Sequence, residues 1–236
     1  MENKKIALVT GGNKGIGLAI VRGLLRAGCR VYLGARNVTA GQQAAAELAP
    51  EGEVQGIELD LNNQATLDAA AARLQREVGH LDILVNNAGI NVEGDDLASQ
   101  ANVQGVEQVM KTNFLGTLAA TQTFLPLLRQ AEAGRIVNVS SPLGSLTLSS
   151  QNDWGLLGYS ASKAALNMLT VQLARELRTT AIKVNSASPG YTATALNGFA
   201  GTDTPDQGAA EAIRLALLPA DGPTGTSSSA TAFLPW

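Results

Sequence analysis

The chain has almost no cysteine and no excess of either charge. Cys29 is the only cysteine among 236 residues, so no disulfide can form within the chain, which is typical of reducing compartments. We expect its thiol to be buried beside the second strand. The 17 basic and 20 acidic residues leave a net charge of −3, without the basic stripe that nucleic-acid binding requires. No nucleic-acid partner is predicted.

Long apolar runs are also missing. No run approaches the roughly 20 residues that a membrane-spanning helix needs. Residues 1–5 lead directly into a predicted strand, which leaves no room for the hydrophobic segment of a secretory signal. We therefore expect a cytoplasmic protein without a membrane partner, and we predict no metal site.

Short apolar runs alternate with alanine-rich amphipathic stretches, the pattern of βαβ units that share one parallel sheet. With no linker or repeat, residues 1–236 fit a single α/β domain. Strands are predicted at 5–10, 30–35, 54–59, 83–86, 135–139 and 183–187, and the tail holds either a short strand around 229–233 or disorder. Helices are predicted at 15–27, 39–48, 64–78, 103–131, 159–179 and 205–217, with long loops at 143–158 and 191–204.

A glycine-rich turn joins the first strand to the first helix. It contains Gly11, Gly15 and Gly17, and such a turn lets the backbone approach a pyrophosphate while the helix N-terminus attracts its charge. The spacing differs from the standard G-x-G-x-x-G. The alternative is a loop whose glycines serve only tight turning.

Tyr159 and Lys163 stand four positions apart, on one face of a predicted helix. A cation near a phenol lowers its pKa towards working pH, so this pair is suited to proton transfer with a carbonyl or alcohol oxygen. The same spacing is also common on solvated helix faces.

Polar or small residues follow several predicted strands, at the sheet edge where ligands bind in open α/β folds. They are Asp60, Asn86 to Gly89, Ser140 and Ser141, and Ser188 to Gly190. Each alone is an ordinary strand terminator. Their recurrence at one edge, beside the glycine turn, indicates a binding site.

Together these residues resemble the short-chain dehydrogenase/reductase family over nearly the whole chain. The matching motifs are Thr10-Gly11-x-x-x-Gly15-x-Gly17, Asp60, Asn86-Asn87-Ala88-Gly89, Asn113, Ser141, Tyr159-x-x-x-Lys163 and Pro189-Gly190. Within the family the chain looks most similar to NADPH-dependent carbonyl reductases. The resemblance implies a Rossmann-like doubly wound parallel sheet of about seven strands that binds a dinucleotide and moves hydride to or from a carbonyl carbon.

The resemblance also assigns catalytic roles. Tyr159 matches the general acid, and Lys163 matches the residue that lowers the tyrosine pKa and binds the nicotinamide ribose. Ser141 would polarise the carbonyl oxygen as a neutral donor, with Ser140 as its rival. Asn113 matches a residue that shapes a helix kink and a water-linked proton path, or it is merely a tolerated polar residue in a helix.

Cofactor choice follows from charge at the end of the second predicted strand. A carboxylate there favours NAD, but this region has Arg36 and no acid, and Lys14 adds a second cation. NADPH is therefore predicted over NADH, although either cation alone could be a solvated surface charge. The predicted cofactor residues are Gly11, Asn13, Lys14, Gly15, Ile16, Gly17, Arg36, Asp60, Leu61, Asn87, Ala88, Gly89, Tyr159, Lys163, Pro189, Gly190, Thr192 and Thr194.

The substrate is a small carbonyl or alcohol that enters between two loops, 142–158 and 191–204. We call the opening between these loops the substrate mouth. The predicted substrate residues are Ser141, Leu143, Trp154, Tyr159 and Tyr191. A second set either lines this mouth or caps the core: Leu156, Leu157, Leu196, Phe199 and Trp236. The segment between Ser141 and Tyr159 is longer than usual in the family but lacks the long insertion of monomeric carbonyl reductases. We therefore expect a homodimer or homotetramer through helices 103–131 and 159–179, with a monomer left open.

The predicted function is NADPH-dependent reduction of an aldehyde or ketone. The same residues would catalyse alcohol oxidation, so an alcohol dehydrogenase working in the oxidative direction is one alternative. A non-catalytic NADP(H)-binding regulatory protein is the other.

Overall fold

Seven strands form one parallel sheet in the computed structural model, which describes residues 4–236. They are β1 Ile6–Thr10, β2 Arg30–Ala35, β3 Val54–Glu58, β4 Ile83–Asn86, β5 Arg135–Val139, β6 Lys183–Ala187 and β7 Ser227–Ser228. The order is β3-β2-β1-β4-β5-β6-β7. It reverses between β1 and β4, and ligands bind in such sheets at the carboxyl ends of the strands at this point.

Helices cover both faces of the sheet. They are α1 Gly15–Arg26, α2 Val38–Leu48, α3 Gln64–Glu77, α4 Val103–Met110, α5 Thr117–Leu128, α6 Leu146–Ser149, α7 Leu157–Glu176 and α8 Pro205–Ala216. Side chains of α1, α2 and α8 contribute to one core cluster, and those of α3, α5 and α7 to the other. This arrangement confirms the predicted doubly wound Rossmann-like fold.

Buried strands supply both cores because their side chains alternate between the two faces. In β1, Ala7 and Val9 belong to one cluster, whereas Ile6 and Leu8 belong to the other. This explains why the strands appear in the sequence as continuous apolar runs, as expected for parallel sheets covered on both faces. Cys29, just before β2, is buried as predicted.

The helix predicted over residues 103–131 is continuous, but it is neither α-helical throughout nor as long as predicted. The stretch contains α4 and α5 separated by a π-helical turn, Lys111–Gly116, and it ends at Leu128. Two contacts hold this turn: the Asn113 side chain bonds the backbone of Ile90, and Gly116 lies directly against Leu61. A Cβ on Gly116 would lie 2.7 Å from the Leu61 Cβ, so only glycine permits this packing.

The last strand was also misplaced. The pairing strand is β7, two residues before the predicted start, and Phe233 only bridges back to Ser228. Between them the chain turns, because the Ser229 hydroxyl accepts the backbone N–H groups of Thr231 and Ala232. Neither a strand at 229–233 nor a disordered tail describes this turn.

The other helix and strand ends lie within three residues of their predicted positions. The predicted loop 143–158 contains α6, which Ser145 caps by accepting the Leu148 N–H, and the first two residues of α7. Residues 1–3, part of the segment behind the signal-sequence expectation, lie outside the described residues. Among those described, no helix is both long enough and apolar enough to cross a bilayer.

Candidate active site

The loops after β1 and β4 are held together where the strand order reverses. The Thr10 hydroxyl accepts the backbone N–H groups of Asn87 and Ala88, at 3.0 and 2.9 Å. In return, the Asn87 amide nitrogen donates to the carbonyl oxygens of Thr10 and Gly11, at 3.0 and 3.2 Å. The glycine turn therefore lies against residues 87–89, both of which the sequence predicted as cofactor contacts.

Three glycines of the turn are required, two by their backbone conformation and one by the space around it. Gly11 has a φ of +64°, and Gly15 has a φ of +53°, a left-handed backbone that glycine adopts without strain. At Gly17, a Cβ would lie 2.2 Å from the Gly11 carbonyl oxygen. The turn is thus closed tightly on itself, with Asn13 half-buried within it and Ile16 packed on the core.

The N-terminus of α1 emerges from this turn without a side-chain cap. Its N-cap residue is Lys14, which makes no capping hydrogen bond, and the first turn contains no acidic residue. Arg36 follows β2 and, like Lys14, is exposed. Within residues 4–236 neither cation has an ion-pair partner. Backbone N–H groups and two cations at one edge suit an anionic group such as a phosphate.

Tyr159 and Lys163 both project from the first half of α7. The Lys163 Nζ lies 5.5 Å from the centre of the Tyr159 ring and donates to the Val139 carbonyl oxygen at 2.8 Å. Lys163 is almost fully buried, at 4% exposure. The lysine is therefore fixed between the phenol and the carboxyl end of β5.

Burial changes the acidity of both groups. It raises the pKa of the Tyr159 phenol to about 12, with the Ser141 hydroxyl acting in the opposite direction. It lowers the pKa of the Lys163 ammonium to about 8. The expectation that Lys163 brings the phenol pKa towards neutrality stays a prediction, since burial and the Ser141 hydroxyl are the causes of the Tyr159 pKa shift. The phenol keeps its proton at neutral pH, which is the form that donates to a carbonyl oxygen.

Asn113 lies in the π-helical turn and connects three segments. Its Oδ1 accepts the Ile90 N–H at 2.8 Å, and its Nδ2 donates to the Ile90 carbonyl at 2.9 Å and to the Ser162 hydroxyl at 3.1 Å. A Cβ added to Gly89 would lie 3.3 Å from Asn113 Oδ1 and 3.7 Å from Lys163 Nζ. The structure thus brings Asn113, Gly89 and Lys163 together, although they come from three separate motifs.

The two serines after β5 have different environments. The Ser140 hydroxyl is buried and donates to Asn167 Oδ1 at 2.6 Å. Asn167 also donates from Nδ2 to the Gly144 carbonyl, at 3.1 Å. Ser141 is half-buried, accepts the Leu143 N–H at 3.2 Å and lies near the Tyr159 phenol. The Ser140 hydroxyl is thus used in a buried structural hydrogen bond, whereas the Ser141 hydroxyl adjoins the phenol.

The loop after β6 reaches back to the glycine turn. A Cβ on Gly15 would lie 3.5 Å from Thr194 Cγ2, so Pro189, Gly190 and Thr194 belong to a loop that closes over the start of α1. Thr192 is buried instead, and its hydroxyl donates to the Pro189 carbonyl at 2.8 Å. Its carbonyl oxygen accepts an N–H of the Asn197 side-chain amide at 3.0 Å, so the hydroxyl and the carbonyl of Thr192 are both engaged within the loop.

Asp60 and Leu61 follow β3, on the other side of the turn. Asp60 is half-buried and accepts the Asn62 N–H at 3.0 Å. Leu61 is buried against Gly116, so its side chain belongs to the core.

Apolar side chains are exposed on the two predicted substrate loops. Trp154 and Tyr191 are 41% and 55% exposed, Leu143 is half-buried, and the remaining exposed apolar residues are Leu146, Leu157, Leu196 and Phe199. Neither loop, 142–158 or 191–204, contains a lysine or arginine. The mouth thus offers apolar contacts and no cation. Trp236 also reaches it, because its carbonyl oxygen accepts the Thr147 N–H and hydroxyl.

Sequence reasoning missed three residues that support the site. Asp95 accepts the backbone N–H of Tyr159, Ser162 donates to the Tyr159 carbonyl at 2.7 Å, and Asn167 holds Ser140. The contacts of Asp95 and Asn167 join residues that lie far apart in the chain, and that of Ser162 joins successive turns of one helix. No local sequence motif predicts any of the three. The only available signal was polar residues at buried helix positions 162 and 167.

Comparison with known proteins agrees with this geometry. The family model described as short chain dehydrogenase matches residues 5–204. The chain belongs to this family. The predicted resemblance is therefore confirmed.

Individual relatives fall within the same family. The chain is 35% identical to human (Homo sapiens) carbonyl reductase [NADPH] 1 across an alignment 268 residues long, covering 93% of this chain and 94% of the relative. It is 40% identical over 190 residues to a rhamnolipids biosynthesis 3-oxoacyl-[acyl-carrier-protein] reductase of Pseudomonas aeruginosa, covering 79% of this chain and 72% of the relative. An NADPH-bound carbonyl reductase from chicken fatty liver superposes with a TM-score of 0.87 at 26% identity, covering 99% of this chain and all of that one (100%).

Proposed function

We propose that the protein is an NADPH-dependent carbonyl reductase that converts an aldehyde or ketone to an alcohol. The observation that carries the proposal is the meeting of Tyr159, Lys163 and Asn113 beside the glycine turn. Relatives named for NADPH-dependent carbonyl reduction support the cofactor and the reaction class.

The residues around the glycine turn fit a dinucleotide phosphate. Gly17 permits the tight turn, because a Cβ there would clash with the Gly11 carbonyl oxygen, and the uncapped start of α1 presents backbone N–H groups. Lys14 and Arg36 would bind the 2′-phosphate of the adenine ribose, while Asp60 and residues 87–89 would adjoin the adenosine half. When bound, NADPH supplies a hydride to the carbonyl carbon.

The side chains of α7 and β5 would act on the carbonyl oxygen. The Ser141 hydroxyl would donate a hydrogen bond to this oxygen and polarise the carbonyl. Tyr159, protonated at neutral pH because its pKa is about 12, would then transfer its proton to the oxygen as negative charge develops there. Lys163, with a pKa of about 8, supplies a nearby positive charge that stabilises the tyrosinate left behind.

The substrate would be an uncharged, hydrophobic carbonyl compound. Loops 142–158 and 191–204 expose apolar side chains, including Trp154 and Tyr191, and contain no cation to recognise an anionic substrate. Such a mouth selects by apolar contact and discriminates only modestly between close analogues.

The test is to follow loss of NADPH absorbance with a panel of aromatic aldehydes, diketones, quinones and keto esters, with NADH in parallel. We expect turnover that prefers NADPH, and we expect Tyr159→Phe to lose at least about a hundredfold in kcat, since general acid catalysis contributes about 10²–10⁴-fold. NADPH binding by Tyr159→Phe should persist. Native-rate turnover by this variant would refute the mechanism, and NADPH binding without turnover of any carbonyl would favour a non-catalytic binder.

A further inference from the structure

The catalytic helix α7 has no N-terminal cap from its own sequence. Its N-cap residue is Leu156, whose side chain makes no capping bond. The first N–H groups of a helix lack intrahelical partners and need another acceptor when they lie in the interior. Tyr159 is the third residue of α7. The group that accepts these N–H bonds therefore also fixes the position of the Tyr159 backbone, from which the phenol projects.

Asp95 supplies the missing acceptor from a distant loop. Its two carboxylate oxygens accept the Gly158 N–H at 2.6 Å and the Tyr159 N–H at 2.7 Å. The side chain is buried, at 9% exposure. Short bonds from a carboxylate to the positive end of a helix are the stronger, charge-assisted kind.

Gly158 is the residue that allows this approach. A Cβ at this position would lie 3.2 Å from Asp95 Oδ1 and 3.2 Å from the Val106 Cα. These distances are tighter than nine in ten real Cβ contacts, so a larger residue would require the carboxylate and α4 to give way by a few tenths of an ångström.

The segment that carries Asp95 also holds Asn113. At its start, the backbone of Ile90 makes two hydrogen bonds with the Asn113 amide. Residues 90–95 therefore join the backbone of Tyr159 to the side chain of Asn113. The Leu157 N–H donates to the Asp96 carbonyl at 3.2 Å, which adds a backbone contact at the same place.

We infer that Asp95 is a positioning residue, which fixes the start of α7 and thereby places the Tyr159 phenol against the substrate oxygen. The inference rests on the proposed function for the catalytic role of Tyr159. The Asp95 carboxylate bonds the backbone of α7 and takes no part in proton transfer.

Asp95→Asn tests this role with little change of shape. Asparagine has one acceptor oxygen, so its amide group would face one of the two N–H groups and lose that bond. We expect kcat to fall about 10- to 100-fold, since small misplacements of catalytic groups cost up to about 10²-fold. The dissociation constant of NADPH, measured by fluorescence, should stay within about twofold of the parent value.

Asp96→Asn is the matched control, because among the described residues the Asp96 side chain accepts only the Leu97 N–H of its own loop. It should leave kcat unchanged. A solvent deuterium isotope effect separates positioning from loss of folded protein: it should rise in Asp95→Asn, where proton transfer becomes slower, and stay constant in Asp96→Asn. Equal effects of both variants, or a lower kcat with an unchanged isotope effect, would overturn the inference.

Amide hydrogen exchange gives a readout that does not depend on turnover. The N–H groups of Gly158 and Tyr159 should exchange faster in Asp95→Asn than in Asp96→Asn. Unchanged protection of these two N–H groups would overturn the positioning role of Asp95. A parent protein that binds NADPH but turns over no carbonyl would instead overturn the proposed function. In that case hydrogen exchange would still test whether Asp95 fixes the start of α7.

Discussion

At the scale of single residues, the choice between NADPH and NADH depends on Lys14 and Arg36. Both are exposed at the edge that carries the glycine turn, and neither has an ion-pair partner among the described residues. Sequence alone could identify the two cations and the absence of an acid after β2. It could not show that no neighbouring carboxylate neutralises them.

Replacing both cations should weaken the preference for NADPH. In the variant Lys14→Ala with Arg36→Ala, we expect the ratio of kcat/KM for NADPH to that for NADH to fall about 10- to 100-fold, since charge-assisted hydrogen bonds contribute about 1.5–3 kcal/mol. The value for NADH should change little. Arg26→Ala removes a surface cation at the other end of α1 and serves as the control. An unchanged ratio would contradict the proposed phosphate contacts.

At the scale of elements, the strand–turn–helix unit formed by β1, the glycine turn and α1 is where local sequence and structure agree best. The apolar run, the glycines and the helical periodicity are all local signals, and the bounds differ from the predictions by one residue. The stretch 103–131 shows the opposite behaviour. Its π-helical turn depends on Ile90 and Leu61, which lie far away in the chain and leave no trace in its periodicity.

Gly17→Ala tests the tightness of the glycine turn. The added methyl group would lie 2.2 Å from the Gly11 carbonyl oxygen and 2.5 Å from the Asn87 amide nitrogen, so the backbone must shift. We expect a loss of about 1–3 kcal/mol in the free energy of unfolding, as for other overpacked sites, and at least about tenfold weaker NADPH binding, measured by fluorescence titration.

Gly79→Ala provides the comparison for that variant. Gly79 has a φ of +75° but nothing lies within 4 Å of an added Cβ. The cost should be about 1 kcal/mol, from the left-handed backbone alone, and NADPH binding should be unaffected. If Gly17→Ala bound NADPH as tightly as Gly79→Ala, the turn would not be the phosphate-binding element.

At the scale of the whole molecule, burial of the charged Lys163 side chain lowers the free energy of unfolding while it places the ammonium beside the Tyr159 phenol. Its pKa in the folded protein is about 8, below the ordinary value of 10.5, because the ammonium is desolvated. Between these two pKa values the unfolded chain binds more protons than the folded one, so the free energy of unfolding rises with pH. Below the lower value the folded protein carries the full cost of the buried charge.

Lys163→Met should remove this pH dependence. Relative to the variant, the parent protein should gain about 2 kcal/mol of unfolding free energy between about pH 7.5 and about pH 10. Cys29 and Tyr159, whose pKa values burial raises, act in the opposite direction at higher pH but are present in both proteins. Urea unfolding at several pH values measures the difference. A constant difference would show that the lysine is not charged and desolvated in the folded protein.

Assembly and localisation also belong to this scale, and both stay predictions. Leu115 and Met168, on the helices predicted to form the homodimer or homotetramer, are 52% and 58% exposed. A single domain over residues 1–236 likewise stays a prediction, consistent with one sheet that contains all seven strands.

The sequence by itself determined the order of β1 to β6 along the chain, the long helices between them, the glycine turn and the pairing of Tyr159 with Lys163, because each depends on local periodicity or on residues within one helix. Tertiary structure alone decided which of Ser140 and Ser141 adjoins the phenol, where the π-helical turn lies and which residue caps α7. The reason is distance along the chain: Asp95 and Tyr159 are separated by 64 positions. Burial, another property of the folded chain alone, decided the pKa of the phenol.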